Sequence, residues 1–513
     1  MKQFLLIFIC YLISFSISDD DKLIFLYTHF RHGARAPQAV NSTFYDMLGQ
    51  KWTNPGELTG MGQRMHYLLG LRNRIKYIKE LKFLSENYDP HEILIFSSAI
   101  NRTIISASSQ LQGLYPLKDE LGLNLTKEQE ELSVPQVSIN YSEIIQERAN
   151  LNLSALPHLM TLVPVRLIND NDRKINVYDL KDCVDEREEV KATNLKNISE
   201  LQKFVADFNT NYGERVNKYF GTSSQKYDIV FIYDLCDAFV SDYTDRRNIS
   251  DFERAGFNLD EFHDYCMEFM RLNFLLYFFG DEEKVLARLD SSKLMNESIY
   301  YMKRRVDADI NGVNVDENYN DYSRPKMVMI SGHDSTSSSD EYFMLWALGY
   351  NVSATYKFPK FANQIALEVA RKNDGAKKSS YSDYFVKCYF NDDLLFNVTL
   401  DEFINKIEAK VWNEATISVY CGFEDKIIYI NNSTNTSTGN STGNSTIDTN
   451  EKKKKDHAKT AYKVLMSVFI CLAAIFLATT LLLAYKLSKA NQLRNNMNVN
   501  NTSANNYIVN KTS

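Results

Sequence analysis

Residues 23–37, LIFLYTHFRHGARAP, are the stretch of sequence that decides the fold. The first part, 23–27, is an unbroken apolar run, which is typical of a strand buried on both faces in a parallel sheet. The run leads directly into a loop that contains Arg31, His32 and Arg35. Because ligand sites in open α/β sheets lie at the carboxyl ends of strands, we expect the chemistry in this loop.

The loop places a histidine between two arginines. His32 lies next to Arg31 and three residues before Arg35, and Gly33 allows close approach of another backbone or a ligand. An imidazole nitrogen is a competent nucleophile toward phosphorus, and guanidinium groups orient phosphoryl oxygens. These residue types favour the binding of a tetrahedral anion and attack on it. A lone His near an Arg, however, more often belongs to an ordinary surface loop without such a function.

Three further motifs follow in order along the chain: 57–63 (ELTGMGQ), 97–103 (SSAINRT) and 331–336 (SGHDST). With the loop pattern R-H-G-x-R-x-P, they resemble the motifs of the histidine acid phosphatases. This branch of the histidine phosphatase superfamily includes lysosomal and prostatic acid phosphatases and phytases. The resemblance covers roughly residues 22–425.

The resemblance implies a role for each site residue. His32 would be the nucleophile that forms a covalent phosphohistidine, and Asp334 would protonate the leaving alcohol and then assist the attacking water. The phosphate would contact Arg31, Arg35, Arg102 and His333. No metal ion or other cofactor is implied, since these side chains supply the positive charge that a metal supplies in other phosphatases.

The chain departs from the family pattern at two positions and adds a glycosylation triplet at a third. Phe96 stands where relatives have Arg, and Ala99 replaces the usual Asp, so we expect altered surroundings of the phosphate pocket. Asn101 begins an Asn-x-Thr triplet beside Arg102. A glycan there would crowd the pocket, and we therefore predict that this triplet is unused.

Strand-like runs at 23–27, 93–97, 327–331 and 366–370 alternate with helical stretches. This alternation predicts an α/β domain with a mainly parallel sheet flanked by helices. The resemblance implies a phosphoglycerate-mutase-like core, with a smaller, mostly helical cap domain inserted roughly within 118–273.

Both ends of the chain carry membrane-related signals. Residues 1–18 combine one lysine, an apolar run and small residues at the end, which predicts a cleaved signal peptide. Residues 464–485 are apolar, uncharged and long enough for one transmembrane helix. The sequence therefore predicts a single-pass type I membrane protein with a lumenal or extracellular domain (19–425), a stalk and Lys-rich juxtamembrane segment (426–463) and a disordered cytosolic tail (486–513).

Residues 431–450, NNSTNTSTGNSTGNSTIDTN, are typical of a flexible, glycosylated linker. Six lysines between 452 and 463 lie on the expected outer side, against the positive-inside preference. The signal peptide outweighs them, because long domains translocate largely regardless of flanking charge. The lysosomal, phagosomal and plasma membranes all remain open as the location.

Composition excludes several other classes of protein. Hydrophobic residues make up 44% of the chain, which indicates a globular protein, and 58 Lys and Arg against 65 Asp and Glu argue against nucleic acid as a partner. Without Cys10 and Cys471, five of the seven cysteines remain in the domain, an odd number. Of these, Cys183 and Cys421 fall roughly where cysteines of family members pair. No metal-binding spacing occurs.

We therefore expect a metal-independent acid phosphatase that hydrolyses phosphomonoesters. A phytase-like or inositol polyphosphate phosphatase is the alternative within the enzyme class. A catalytically silent receptor or adhesion domain is the alternative of another class, and a homodimer is left open.

Overall fold

The computed structural model covers most of the expected catalytic domain. It describes residues 21–38, 52, 54–116, 124–133, 135, 141–157, 161–168, 199–223, 226–247, 249–280, 283–313 and 325–420. Outside these residues lie the predicted signal peptide, stalk, membrane span and tail (1–18, 426–463, 464–485 and 486–513). Of the described helices, none combines the length and apolar character that crossing a bilayer requires.

The apolar run at 23–27 belongs to strand β1 (Asp21–Arg31). From Ile24 onward every residue of the strand is buried. β1 lies between a parallel and an antiparallel neighbour, so its backbone is hydrogen-bonded on both sides. The prediction of a strand covered on both faces is confirmed.

The remaining described strands are β2 (Ile93–Ser98), β3 (Arg166–Ile168), β4 (Met327–Gly332), β5 (Gln364–Lys372), β6 (Tyr384–Phe390) and β7 (Asp393–Thr399). They form one seven-stranded sheet with β1, in the order β3-β2-β4-β1-β5-β6-β7. The first four are parallel, and β5, β6 and β7 pair antiparallel. Short connections between β5, β6 and β7 produce the antiparallel pairs. The motif-bearing strands are the parallel ones.

The described α-helices are α1 (Gly60–Asn73), α2 (Asn101–Leu114), α3 (Lys127–Leu132), α4 (Ser142–Leu151), α5 (Ser199–Asn211), α6 (Gly213–Phe220), α7 (Ile229–Asp245), α8 (Ile249–Ala255), α9 (Leu259–Phe279), α10 (Val285–Ile310), α11 (Asp334–Leu348), α12 (Val352–Thr355), α13 (Leu400–Glu408) and α14 (Glu414–Tyr420). A π-helical segment, Arg74–Glu80, continues α1, and a 3-10 turn, Tyr381–Asp383, precedes β6.

Helices cover both faces of the sheet. Val328 and Ile330 of β4 pack into a core shared with α7, α9, α10 and α11. Met327 and Met329 point to the other face, into a core shared with α2 and the π-helical segment. This alternation of side chains is the period of a strand buried on both sides. The predicted α/β fold with flanking helices is confirmed.

The segment 118–273, where the sequence predicts a cap, is described in part and is mostly helical. Its helix α7 packs against α9, and both contribute buried side chains to the core on one face of the sheet. In α9 buried residues recur every four positions, at Phe262, Cys266, Met270, Phe274 and Phe278. This spacing is that of a helix in a protein core.

Helices α1 and α2 touch through their backbones. A Cβ atom added to Gly70 would lie 1.9 Å from the carbonyl oxygen of Gln110, and one added to Gly113 would lie 2.0 Å from that of Tyr67. No side chain fits at either position without separating the helices. The contact matters for the site because α2 begins beside Arg102.

We expect Gly70→Ala to lower the free energy of unfolding by about 1–3 kcal/mol or more, the cost of overpacking. Gly60→Ala in the same helix is the matched control, because a Cβ there meets nothing within 4 Å. It should leave stability unchanged or raise it by about 0.5–1 kcal/mol. Urea denaturation of both variants measures the difference, and equal stabilities would contradict the close contact.

Candidate active site

The loop after β1 is held by backbone hydrogen bonds on both sides. The N–H of His32 donates to the carbonyl of Gly332 at 3.0 Å, and the N–H of Ala362 donates to the carbonyl of His32 at 3.1 Å. The first bond joins the loop to the end of β4, and the second joins it to the segment before β5. His32 therefore lies at the centre of the sheet's carboxyl edge.

The motif at 57–63 holds this loop in place through hydrogen bonds and a close backbone contact. Thr59 donates its N–H and its hydroxyl to the carbonyl of Ala34, and its Oγ1 accepts the N–H of Gly62 as the N-cap of α1. A Cβ on Gly33 would lie 2.4 Å from the carbonyl oxygen of Gly62. The two glycines thus allow the catalytic loop to rest directly on the first turn of α1.

The hydrogen bonds of His32 define its free nitrogen. Nδ1 lies 2.9 Å from the carbonyl oxygen of Gly33. Because a carbonyl only accepts, Nδ1 carries the proton and Nε2 keeps its lone pair. The side chain is buried, and burial together with the charges of Arg31 and Arg35 holds its pKa well below the usual value. His32 therefore stays neutral in moderately acidic solution.

Arg31 is held by a backbone carbonyl, a carboxylate and an aromatic ring. Its guanidinium donates to the carbonyl of Pro359 at 2.7 Å and pairs with the Asp334 carboxylate at 2.8 Å. The ring of Phe361 lies 4.4 Å from the guanidinium carbon, in a cation–π arrangement. These contacts fix the guanidinium next to His32, whose ring centre is 5.9 Å from that of Phe361.

Arg35 is held by an acidic side chain from α7. Its two terminal nitrogens donate to the two oxygens of Asp237, at 3.2 and 2.7 Å. The backbone N–H of Gln38 also donates to this carboxylate. A bidentate pair of this kind fixes the guanidinium plane.

Arg102 adds a third guanidinium beside His32, and the His333 ring accepts a hydrogen bond from it. Arg102 donates from Nη2 to Nδ1 of His333 at 3.1 Å, so Nε2 carries the proton and donates to Ser98 Oγ at 3.0 Å. Ser98 Oγ in turn lies 2.8 Å from Thr103 Oγ1. Burial and the nearby charge of Arg102 hold the pKa of His333 well below its usual value. The rings of His32 and His333 meet edge to face, with centroids 5.4 Å apart.

Asp334 follows His333 and is the first residue of α11. Burial raises the pKa of its carboxyl, but the charges of Arg31 and Arg35 outweigh this effect, and the net pKa is lowered. The free site therefore holds Asp334 as an anion. A phosphate dianion bound to the same arginines would add negative charge and restore the carboxyl's affinity for a proton.

A buried hydrogen-bonded pair of side chains lies beneath the end of β4. Nδ1 of His29 is 2.7 Å from Oδ2 of Asp340, and the two side chains are only 1% and 2% exposed. A Cβ on Gly332 would lie 2.6 Å from Nε2 of His29. The His29 ring thus occupies the space under Gly332 and supports the backbone that presents His333.

The two departures from the family motifs differ in burial. Phe96 lies in strand β2 and is buried, whereas Ala99 follows the strand and is exposed. The side chain of Asn101 donates to Glu57 at 3.1 Å, a bond that a glycan would disrupt. The prediction that this triplet is unused stays a prediction.

The cysteine predictions are only partly covered by the described residues. Within them, Cys236, Cys266 and Cys388 are buried thiols. Cys183 and Cys421 lie outside the described residues. In the described part of the chain no group of three or more His, Cys, Asp or Glu is arranged to hold a metal ion.

Comparison with known proteins identifies the family. The model of the histidine phosphatase superfamily (branch 2) matches residues 22–391. The chain belongs to this superfamily. The family predicted from the motifs is therefore confirmed.

Individual members of the superfamily match at lower coverage. Human prostatic acid phosphatase is 23% identical over 326 residues, which cover 62% of this chain and 68% of that protein. Lysosomal acid phosphatase of Xenopus laevis is 34% identical over 100 residues, or 20% of this chain. The matches to this relative, and to others of higher identity than the prostatic enzyme, span only 22–29% of each relative's length.

A solved structure agrees on the fold. The phytase from Citrobacter braakii superimposes with a TM-score of 0.50 at 13% identity, covering 78% of this chain and 99% of that protein. At this identity the likeness concerns the histidine phosphatase fold alone.

The structure brings together all six residues singled out in the sequence: His32, Asp334, Arg31, Arg35, Arg102 and His333. It adds Asp237, Phe361 and the carbonyl of Pro359, which sequence reasoning missed. Asp237 is 202 residues from Arg35 and lies in a helix without a family motif. The one available signal was a pair of carboxylates, Asp234 and Asp237, in a mostly apolar helical run.

Proposed function

We propose that this protein is a phosphomonoesterase that works through a phosphohistidine on Nε2 of His32, with Asp334 as the proton donor. One observation carries the proposal. The bond from Nδ1 to Gly33 leaves Nε2 with its lone pair, next to the arginines and the carboxyl that phosphoryl transfer needs. The relatives named acid phosphatases support the same activity.

In the first step, Nε2 of His32 attacks phosphorus and the phosphorus–oxygen bond of the ester breaks. The guanidinium groups of Arg31, Arg35 and Arg102 neutralise the charge on the phosphoryl oxygens in the transition state. Asp334 transfers its proton to the leaving oxygen, so that an alcohol and not an alkoxide departs.

In the second step, a water oxygen attacks phosphorus and the bond to Nε2 breaks. The Asp334 carboxylate, which has lost its proton, accepts one from the attacking water. Inorganic phosphate leaves, and His32 and Asp334 return to their starting forms. The same carboxyl therefore acts as acid and then as base.

The pKa directions favour activity in acid. A histidine with an ordinary pKa near 6.5 is mostly protonated at about pH 5 and is then no nucleophile. Burial and neighbouring arginines lower the pKa of His32 well below this ordinary value, so that more of the imidazole stays neutral in acid. Asp334 needs a proton to act as the acid, and lower pH supplies it. Activity toward esters with poor leaving groups should therefore fall as the pH rises above the acidic range.

The protein's location follows from the predicted segments at its ends. The signal peptide (1–18) and the span (464–485) would hold the catalytic domain on the lumenal or outer side of a lysosomal, phagosomal or plasma membrane. Protease added to sealed lysosomal or phagosomal vesicles should digest a tag placed after residue 513 and spare the domain, whereas protease added to intact cells that carry the protein in the plasma membrane should digest the domain and spare the tag. A domain that is digested together with the tag in sealed organelles, or a tag that is digested on intact cells, would contradict this orientation.

We predict that His32→Ala abolishes turnover and the covalent phosphoenzyme, because the substitution removes the atom that bonds phosphorus. Acid-sensitive, base-stable labelling after a quench with labelled substrate, in the presence of EDTA, measures the intermediate. His91→Ala, a histidine outside the site, is the matched control and should keep the label. A wild-type protein that never becomes labelled would favour the silent receptor instead.

We predict that Asp334→Asn slows hydrolysis of alkyl phosphates about 10²–10⁴-fold, the usual contribution of a general acid. Nitrophenyl phosphate should be affected much less, because nitrophenolate leaves without a proton. Asp237→Asn is the comparison variant, since it disturbs phosphate binding through Arg35 and should slow both substrates alike. If Asp334→Asn also slows both alike, Asp334 is not the acid.

A further inference from the structure

An apolar cavity of about 360 Å³ opens beside Asp334. Its described lining consists of Ile229, Val230, Tyr233, Asn273, Phe274, Tyr277 and Ser335. Ser335 directly follows Asp334 in α11, so the cavity and the carboxyl share one turn of helix. None of these seven lining residues carries a charge, in contrast to the arginine-rich phosphate site next to it.

Helix α7 connects the cavity to the phosphate site. Ile229, Tyr233 and Asp237 are spaced by four residues and therefore lie on one face of the helix. Asp237 binds Arg35 at the inner end, and Tyr233 lines the cavity one turn away. Burial, and then the carboxylates of Asp334 and Asp237, raise the pKa of Tyr233, so its hydroxyl stays protonated as a donor.

A second connection runs through aromatic rings. The ring of Phe274, in the cavity wall, lies 5.4 Å from that of Phe358. The ring of Phe358 in turn lies 5.5 Å from the guanidinium carbon of Arg31. Ring contacts therefore connect Arg31 to the wall of the cavity.

We propose that this cavity is the subsite for the leaving group and that it selects phosphomonoesters of apolar or aromatic alcohols. The inference rests on the proposed function, because the proton donor must touch the leaving oxygen. The carbon group attached to that oxygen then extends past Asp334 toward Ser335 and the cavity.

Size and charge both define the substrate class. An apolar cavity of about 150 Å³ already binds benzene, so the space here accommodates a ring or a short alkyl chain. An alcohol that carries further phosphates needs cationic or strongly hydrogen-bonding partners. The described lining offers two tyrosine hydroxyls, one amide and one serine hydroxyl, but no cation. The cavity therefore favours apolar alcohols over inositol polyphosphates.

The test is the dependence of kcat/KM on chain length for ethyl to hexyl phosphate, with the full chain in detergent. The alkoxides of this series differ little in basicity, so the chemical step is nearly constant and the carbon chain is the variable. We expect kcat/KM to rise by up to about fourfold for each methylene that becomes buried, and to level off when the cavity is full.

Two variants separate the cavity from nonspecific effects. Val230 lies at the rim and is 63% exposed, so Val230→Lys should fold normally. This substitution should reduce the ratio of kcat/KM for hexyl phosphate to kcat/KM for ethyl phosphate. Ile145 is a similarly exposed β-branched residue of helix α4, at 58%, and Ile145→Lys should keep the wild-type ratio.

The outcomes distinguish this inference from the proposed function. Turnover that does not depend on chain length, or a higher kcat/KM for inositol hexakisphosphate than for hexyl phosphate, overturns the cavity's role and leaves the phosphatase intact. An unchanged ratio in Val230→Lys overturns it as well. Failure to hydrolyse any phosphomonoester overturns the proposed function, and the inference with it.

Discussion

The site depends on positive charge that is concentrated around His32 with little access to water. Arg31 and Arg35 are almost fully buried, and Arg102 and His333 close the cluster. Charges removed from water are costly unless opposite charges or hydrogen-bond partners face them. Asp334 and Asp237 provide the opposite charges. Burial and the charges of the arginines lower the pKa of the His32 imidazole well below its usual value.

The parallel half of the sheet produces this concentration. β1 and β4 are neighbours, with Arg31 opposite Gly332 in the register, so the loops that follow them emerge side by side. β2 lies on the other side of β4 and brings Ser98 to the same edge. Parallel strands present their carboxyl ends together, which is why motifs far apart in sequence meet here.

Residues around the site also make specific buried contacts. The buried pair of His29 and Asp340 fills the space beneath Gly332, and removal of one partner would leave a buried group without its counterpart. Helix α7 contributes Asp237, which pairs with Arg35, and Tyr233, which lines the adjoining cavity. One helix therefore connects the arginine cluster to the cavity.

The sequence by itself determined the buried central strand, the α/β fold and the six residues of the phosphate site. The strand, the fold and the six residues could be predicted because an apolar run and short motifs with fixed spacing are local features of the sequence. Tertiary structure alone decided that β5 pairs antiparallel with β1, since these two strands are far apart in the chain and their relative direction depends on the path of the chain between them. It also decided that Asp237 faces Arg35 and that His29 meets Asp340 across 311 residues. No local pattern marks such pairs, because their interaction exists only once the folded chain has excluded water from both partners.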